Sequence, residues 1–213
     1  MIKQWMGTVL LALSLVGGGA LMAGAAQAAV ADDVQQIVAA HAGDTDNGAA
    51  LQAALASLIS GSANPATTAA EAMAALGDSP SPALLKALGG AIEGTSGITS
   101  EDLAQAIGKV VANGGIGADG ISANVIGVAQ YMGADNRHAA GRGLAIAVAR
   151  LQGEPGTVDV AGRIVAQVDA SDLDEVKTAY ADAAAEIETG SLSVGGDSLL
   201  QANANPAGQQ SPN

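Results

Sequence analysis

The side chains able to do chemistry are few and form no familiar arrangement. The chain has 213 residues, two histidines, no cysteine, and 8 Lys and Arg against 21 Asp and Glu. Without cysteine there is no disulfide, thiolate nucleophile, iron–sulfur cluster, Cys-ligated zinc or acylated lipoprotein anchor. His138 stands in Asp135-Asn136-Arg137-His138. Asp135 and His138 are three residues apart and share a helix face, but a metal needs a third ligand that the sequence does not signpost. His41 closes an apolar stripe of Val34, Ile37 and Val38, where a histidine bonds the last carbonyls of a helix. The run Asp44-Thr45-Asp46-Asn47-Gly48 is the nearest approach to a calcium loop. Its glycine is fifth rather than sixth, and its twelfth position is Leu55 rather than a bidentate glutamate. A polar turn is the simpler reading. No H-E-x-x-H, Walker loop, G-x-S-x-G elbow or EF-hand is present. No catalytic residue, metal or cofactor is expected.

One concentration of charge stands apart. Beyond residue 28 the chain has seven basic residues, and Arg137, Arg142, Arg150 and Arg163 are four of them. With His138 and the backbone N–H groups of a helix start near residue 136, they form an expected zone for a carboxylate, a phosphate or an acidic partner. The alternative is that each arginine offsets nearby acids such as Asp135, Glu154, Asp159 and Asp169 on a solvated surface. The net charge of −13 and pI near 4.2 argue against nucleic acid and anionic membranes, which require clustered Lys and Arg.

The elements that carry these residues follow an address. Lys3 gives a minimal positive start, an apolar stretch runs from Met6 to Met22, and Ala26-Gln27-Ala28 closes it with the small-x-small ending of a signal-peptidase site. The densest apolar part is about 11 residues, against roughly 20 for a membrane span. Residues 1–28 are therefore expected to be a cleaved signal peptide. Residues 29–189 are expected to form an alanine-rich helical domain, and 190–213 a polar tail, with 201–213 disordered. The destination is the periplasm or the exterior, with no stable membrane anchor after cleavage.

Alanine (49 residues) and glycine (29) dominate the composition, and aromatics are 1%. The larger apolar residues recur at helical spacing in short segments. Leu51, Leu55, Leu58 and Ile59 mark one face; Met73 and Leu76 mark a weaker one among alanines. Ser81 and Pro82 are placed as N-cap and first helical residue, ahead of Leu84, Leu85, Leu88 and Ile92. Thr99 and Asp102 form a variant capping box, with Ile98 and Leu103 as its hydrophobic staple. Asp119, Asn136, Thr157 and Ser171 are expected to open four further helices. Glycines at 89, 90, 108, 127, 141, 143 and 162 lie within helical patterns, where they allow close crossings at a cost of up to about 1 kcal/mol each relative to Ala.

Helix starts near 47, 64, 81, 99, 118 and 136 recur about every 17–19 residues, and two such helices make a unit of about 36. The expected fold is all-α, with eight or nine short helices as an irregular bundle or a helix-hairpin, solenoid-like array. The expected function is that of an exported, non-enzymatic scaffold or protein-interaction module with a protein partner. A carrier of a small apolar ligand between helices is the alternative. A hydrolase or lyase built from dispersed carboxylates is the third reading.

Overall fold

The computed structural model describes residues 22–42, 48–192 and 194, and the side chains from residue 28 onward. Most of the expected signal peptide, the run from Asp44 to Asn47, and the tail beyond Val194 lie outside the described residues. Among those described there are nine α-helices and no strand: α1 (Met22–Ala40), α2 (Ala49–Ser60), α3 (Pro65–Ala74), α4 (Pro82–Gly94), α5 (Ser100–Asn113), α6 (Ala118–Ala129), α7 (Ala134–Gln152), α8 (Val158–Ala170) and α9 (Asp174–Glu188). The protein is all-helical, as its 3.6-residue periodicity requires. No helix among the described residues is long and apolar enough to cross a membrane.

Several helix starts follow directly from their capping residues. Asn64 accepts from the Thr67 N–H at 3.1 Å, with Pro65 at the first helical position. Ser81 accepts from the Leu84 N–H at 3.2 Å ahead of Pro82. Thr99 accepts from the Asp102 N–H at 3.1 Å. The Asp102 carboxylate accepts from the Thr99 hydroxyl at 2.7 Å, because an aspartate is one methylene too short for the backbone contact of a full capping box.

Three expected helix openings are corrected. Asp119 is the second residue of α6 rather than its cap, and Asn136 is the third residue of α7; glycines 117 and 133 hold the cap positions. Thr157 does open α8 from the cap position, with its hydroxyl donating backward to the Leu151 and Glu154 carbonyls. Ser171 closes α8 rather than opening α9, donating to the Val168 carbonyl at 2.8 Å. At the far end of α9, Gly190 at φ 72° receives the chain in a left-handed turn. Its N–H bonds the Ile187 carbonyl, and the Ser191 N–H bonds Glu186, which is the Schellman pattern.

Tertiary contacts sort the helices into two rows. In one row α1, α3, α5, α7 and α9 pack in succession; in the other α2, α4, α6 and α8 do. The most extensive contacts are those of α7 with α5 and α9. No helix packs extensively on one more than three places away in the chain. That is the quasi-one-dimensional contact map of a helix-hairpin array rather than a closed bundle. Side-chain hydrogen bonds between helices carry the same period. Asn124–Gly77, Glu93–Gly133, Glu93–Asn136, Arg142–Glu186, Arg150–Val194, Arg163–Asp119 and Gln167–Asp119 all span 40 to 48 residues.

Glycine makes the tightest stacking possible. A Cβ on Gly108 would stand 2.5 Å from Ile146 Cγ2, and one on Gly143 would stand 2.7 Å from Ile107 Cβ. Each helix of the α5–α7 pair thus offers a glycine to the other's isoleucine. Pairing 107–108 with 143–146 in ascending order makes the two helices parallel. On the opposite side of α7, Gly141 admits the α9 backbone at Val176. In the second row Gly89 lies against Val128 and Tyr131. Gly162 is the exception: nothing stands within 4 Å of its would-be Cβ.

The weakest sequence signal became the most enclosed element. Helix α3 buries Ala66, Thr68, Ala69, Ala70, Glu71, Ala72 and Met73, and it touches both rows. Methyl-sized side chains let neighbours approach on several sides at once. The bulk of the core is supplied by Leu55, Ile59, Leu88, Ile92, Leu103, Ile107, Leu144, Ile146, Leu151 and Ile164, all fully buried. Each is worth roughly 1.5–3 kcal/mol of transfer energy.

Candidate functional site

Helix α7 carries three of the four singled-out arginines along its length, and the fold gives each a different task. Arg137 reaches back to the end of α6, donating to the Ala129 carbonyl at 3.1 Å and the Gln130 carbonyl at 3.2 Å. Its other nitrogen lies 3.6 Å from Glu175 on α9. Arg142 spans the row, 3.2 Å from Glu186 on α9 and 3.6 Å from Glu101 on α5. Its side chain is 19% exposed, and its Nε is buried without a hydrogen-bond partner. Arg150, one residue before the buried Leu151, donates through Nε to the Val194 carbonyl at 2.8 Å. Burial holds its guanidinium pKa below the ordinary value, though arginine stays charged.

Arg163 belongs to the other row. Its Nε lies 2.7 Å from Asp119, and that hydrogen bond holds the Asp119 carboxyl below the usual carboxylate range. Among the described ion pairs the arginines meet Asp119, Glu101, Glu175 and Glu186; of the four acids expected from sequence proximity, Asp159 acts on Arg163 through its charge. One repeat of the array brings residues about 40 apart in the chain side by side, so nearness in sequence is a poor guide to pairing. The arginines are therefore distributed along and between the rows, each already engaged with carbonyls or carboxylates. His138 is exposed on the first turns of α7. Among the described residues, no group of three His, Asp or Glu is placed to hold a metal.

One concave feature of the described surface lies beside this arrangement and is not marked in the sequence. A groove of about 450 Å³ crosses the first row from the start of α3 to the end of α7. Its floor is one face of α5, where Asp102, Gln105, Ala106, Lys109 and Asn113 recur at helical spacing. Asn64 and Thr67 of α3 form one wall and Arg150 of α7 the other. Lys109 is exposed, and its charge acts on Glu71, whose carboxyl burial pushes above its ordinary value. Of the five expected zone residues, only Arg150 borders the groove. Nothing in the sequence marks Lys109, because a polar stripe on an amphipathic helix ordinarily means a solvated face; only the stacking of α3 and α7 on either side makes that stripe a floor. With amides, a hydroxyl and two cations facing one acid, the groove can hold a polar, anionic chain by hydrogen bonds and charge. No family model, no curated protein and no solved structure matches this chain.

Proposed function

We propose that this protein is an exported, non-enzymatic helical scaffold that binds a protein partner along the outer faces of its rows. The observation that carries the reading is the array itself. Stacking at a period near 40 residues sets successive helices side by side along each row, the arrangement on whose extended surfaces helix-hairpin arrays bind other proteins. The groove across α3, α5 and α7 adds a concave element whose amide, hydroxyl and charged lining suits a polar chain better than an apolar ligand.

Export rests on the leader pattern in the sequence, and cleavage after Ala28 would spare the described contacts of α1. The described α1 side chains that pack on the array are Val30, Val34, Ile37 and Val38, all beyond the small-x-small motif ending at Ala28. Removal of residues 1–28 would leave these contacts in place. The test is photo-crosslinking in the native host from three exposed positions, Ser57, Lys109 and Asp182, combined with intact-mass measurement of the exported chain. The reading expects a mature start at Ala29 and one defined envelope or extracellular protein as adduct from at least one position. A chain retained with residues 1–28, or no adduct from any position, overturns it.

A further inference from the structure

We infer that the groove across α3, α5 and α7 is a binding site for an extended peptide segment of a partner protein. Gln105 and Asn113 read the backbone of that segment, and Lys109 reads one acidic side chain on it. The site rests on the scaffold reading and deepens it, by naming the chemistry that one surface of the array recognises.

Helical rise sets the spacing. Gln105, Lys109 and Asn113 follow one another every fourth residue along the floor, which places them about 6 Å apart along the axis of α5. In an extended chain every second residue presents its backbone N–H and C=O on the same edge, at a repeat of about 6.6 Å. The two repeats nearly match, and flexible side chains absorb the difference. A carboxamide carries donor and acceptor in one group, so Gln105 and Asn113 can each satisfy the main-chain pair of one residue whatever its side chain. Gln105 already donates to Glu101 Oε1 at 3.1 Å; this steadies the side chain and leaves its second N–H and its carbonyl oxygen for a ligand.

The lining argues against other occupants. No aromatic ring borders the groove, so a sugar finds no face to stack on. Ala106 is the sole apolar side chain of the lining, so an amphipathic helix finds no apolar floor for its stripe.

Charge sets the register. None of the described ion pairs uses Lys109, and its exposed ammonium rides on a flexible four-carbon stem. Arg150 is engaged by the Val194 carbonyl at 2.8 Å and serves only as a wall. Asp102 stands seven residues before Lys109, about 10.5 Å away along the axis, or about three residues of extended chain. A bound segment therefore favours Asp or Glu beside Lys109 and rejects them three residues along, beside Asp102. In a chain of net charge −13, whose field repels an acidic segment, Lys109 fixes where the acid sits.

Selection from a random nine-residue peptide library, displayed between flanking linkers and panned on the full chain, tests this. The expected result is an enriched set that shares Asp or Glu at one position and lacks them three positions away. Selection on Lys109→Gln is expected to lose the acidic preference; neutralisation is chosen over reversal because the Lys109 charge acts on Glu71. For the best peptide, synthesised with both ends capped, Gln105→Ala and Asn113→Ala are each expected to weaken binding at least threefold by fluorescence anisotropy, with the helical circular-dichroism melt unchanged. No enriched set, an acidic preference that survives Lys109→Gln, or a smaller loss from either amide variant overturns the proposal. So does enrichment of apolar residues at three- and four-residue spacing, which would assign the groove to a helix. A partner adduct at Ser57 or Asp182 with no enriched peptide removes this site alone. A Lys109-dependent peptide set with no partner adduct in the host removes the scaffold reading alone.

Discussion

Gly141 of α7 lies directly beneath Val176 of α9, so that a methyl group on Gly141 would collide with the Val176 carbonyl oxygen and stand 2.9 Å from Ala179 Cβ. The obstruction is backbone, which cannot swing aside as a side chain can. Gly141→Ala is expected to cost about 1–3 kcal/mol, at the upper end of overpacking, despite alanine's better helix propensity. Gly162→Ala, in the exposed interior of α8 with open space around it, is expected to stabilise by about 0.5–1 kcal/mol. Urea unfolding of the two variants measures both. Equal effects would mean that α7 and α9 are not stacked as described.

The start of α7 depends on a residue from another helix. The Glu93 carboxylate of α4 accepts from the Gly133 N–H at 2.8 Å and from Asn136 Nδ2 at 2.6 Å. From another helix it plays the part of the glutamate in a capping box, accepting from the N–H of the cap residue Gly133. Glu93→Ala is expected to lose about 0.5–2 kcal/mol, the range of a lost cap. A double-mutant cycle with Asn136→Ala should give a coupling of at least about 0.5 kcal/mol. Additive losses would show that the two residues act separately.

Arg142 and Arg163 each bind carboxylates, but in different surroundings. Arg163 is 52% exposed, and Arg163→Met is expected to cost little, as solvated pairs do. Arg142 is mostly enclosed and joins two carboxylates from different helices. Its replacement by Met is expected to cost about 1–3 kcal/mol, below the figure for a fully buried pair because Glu101 and Glu186 both retain solvent contact. Thermal melts at low and high salt check this, and the Arg163 pair should respond to salt more strongly.

Glu71 gives the array an acid-side stability term. Burial raises its carboxyl pKa in the folded chain, with the Lys109 charge opposing. A carboxyl whose folded pKa exceeds its unfolded value destabilises when both states are ionised, and this penalty fades as pH falls through the folded pKa. Asp119 acts in the opposite sense: the Arg163 hydrogen bond lowers its pKa, so its contribution is full above the ordinary aspartate value and lost as pH falls through the folded one. Glu71→Gln is expected to raise the melting temperature at pH 7 by a few degrees and to remove its share of the gain on mild acidification. A variant midpoint that matches the parent's at every pH from 4 to 7 would remove the assignment.

The local architecture was legible wherever one residue type admits one reading. Ser81 before Pro82, Thr99 before Asp102, and Leu or Ile at helical spacing specify helix starts and buried faces through short-range chemistry. The spacing of those starts also announced a unit of about 36 residues, close to the separation of stacked partners in the rows. Where the expectation failed, as at Asp119, Asn136 and Ser171, a tertiary partner or a neighbouring helix end outbid the local cap: Arg163 took Asp119, Glu93 took Asn136, and the Val168 carbonyl took Ser171.

What the amino-acid order determined alone is that the chain folds into short helices with alanine and glycine between their larger apolar residues. What only the tertiary structure decided is which helices meet, which acid each arginine engages, and that Lys109 and Arg150 border one groove. The reason is physical. Capping and periodicity act within a turn or two of backbone, whereas partners about 40 residues apart meet only once small residues such as Gly108, Gly141 and Gly143 have let the helices close on one another.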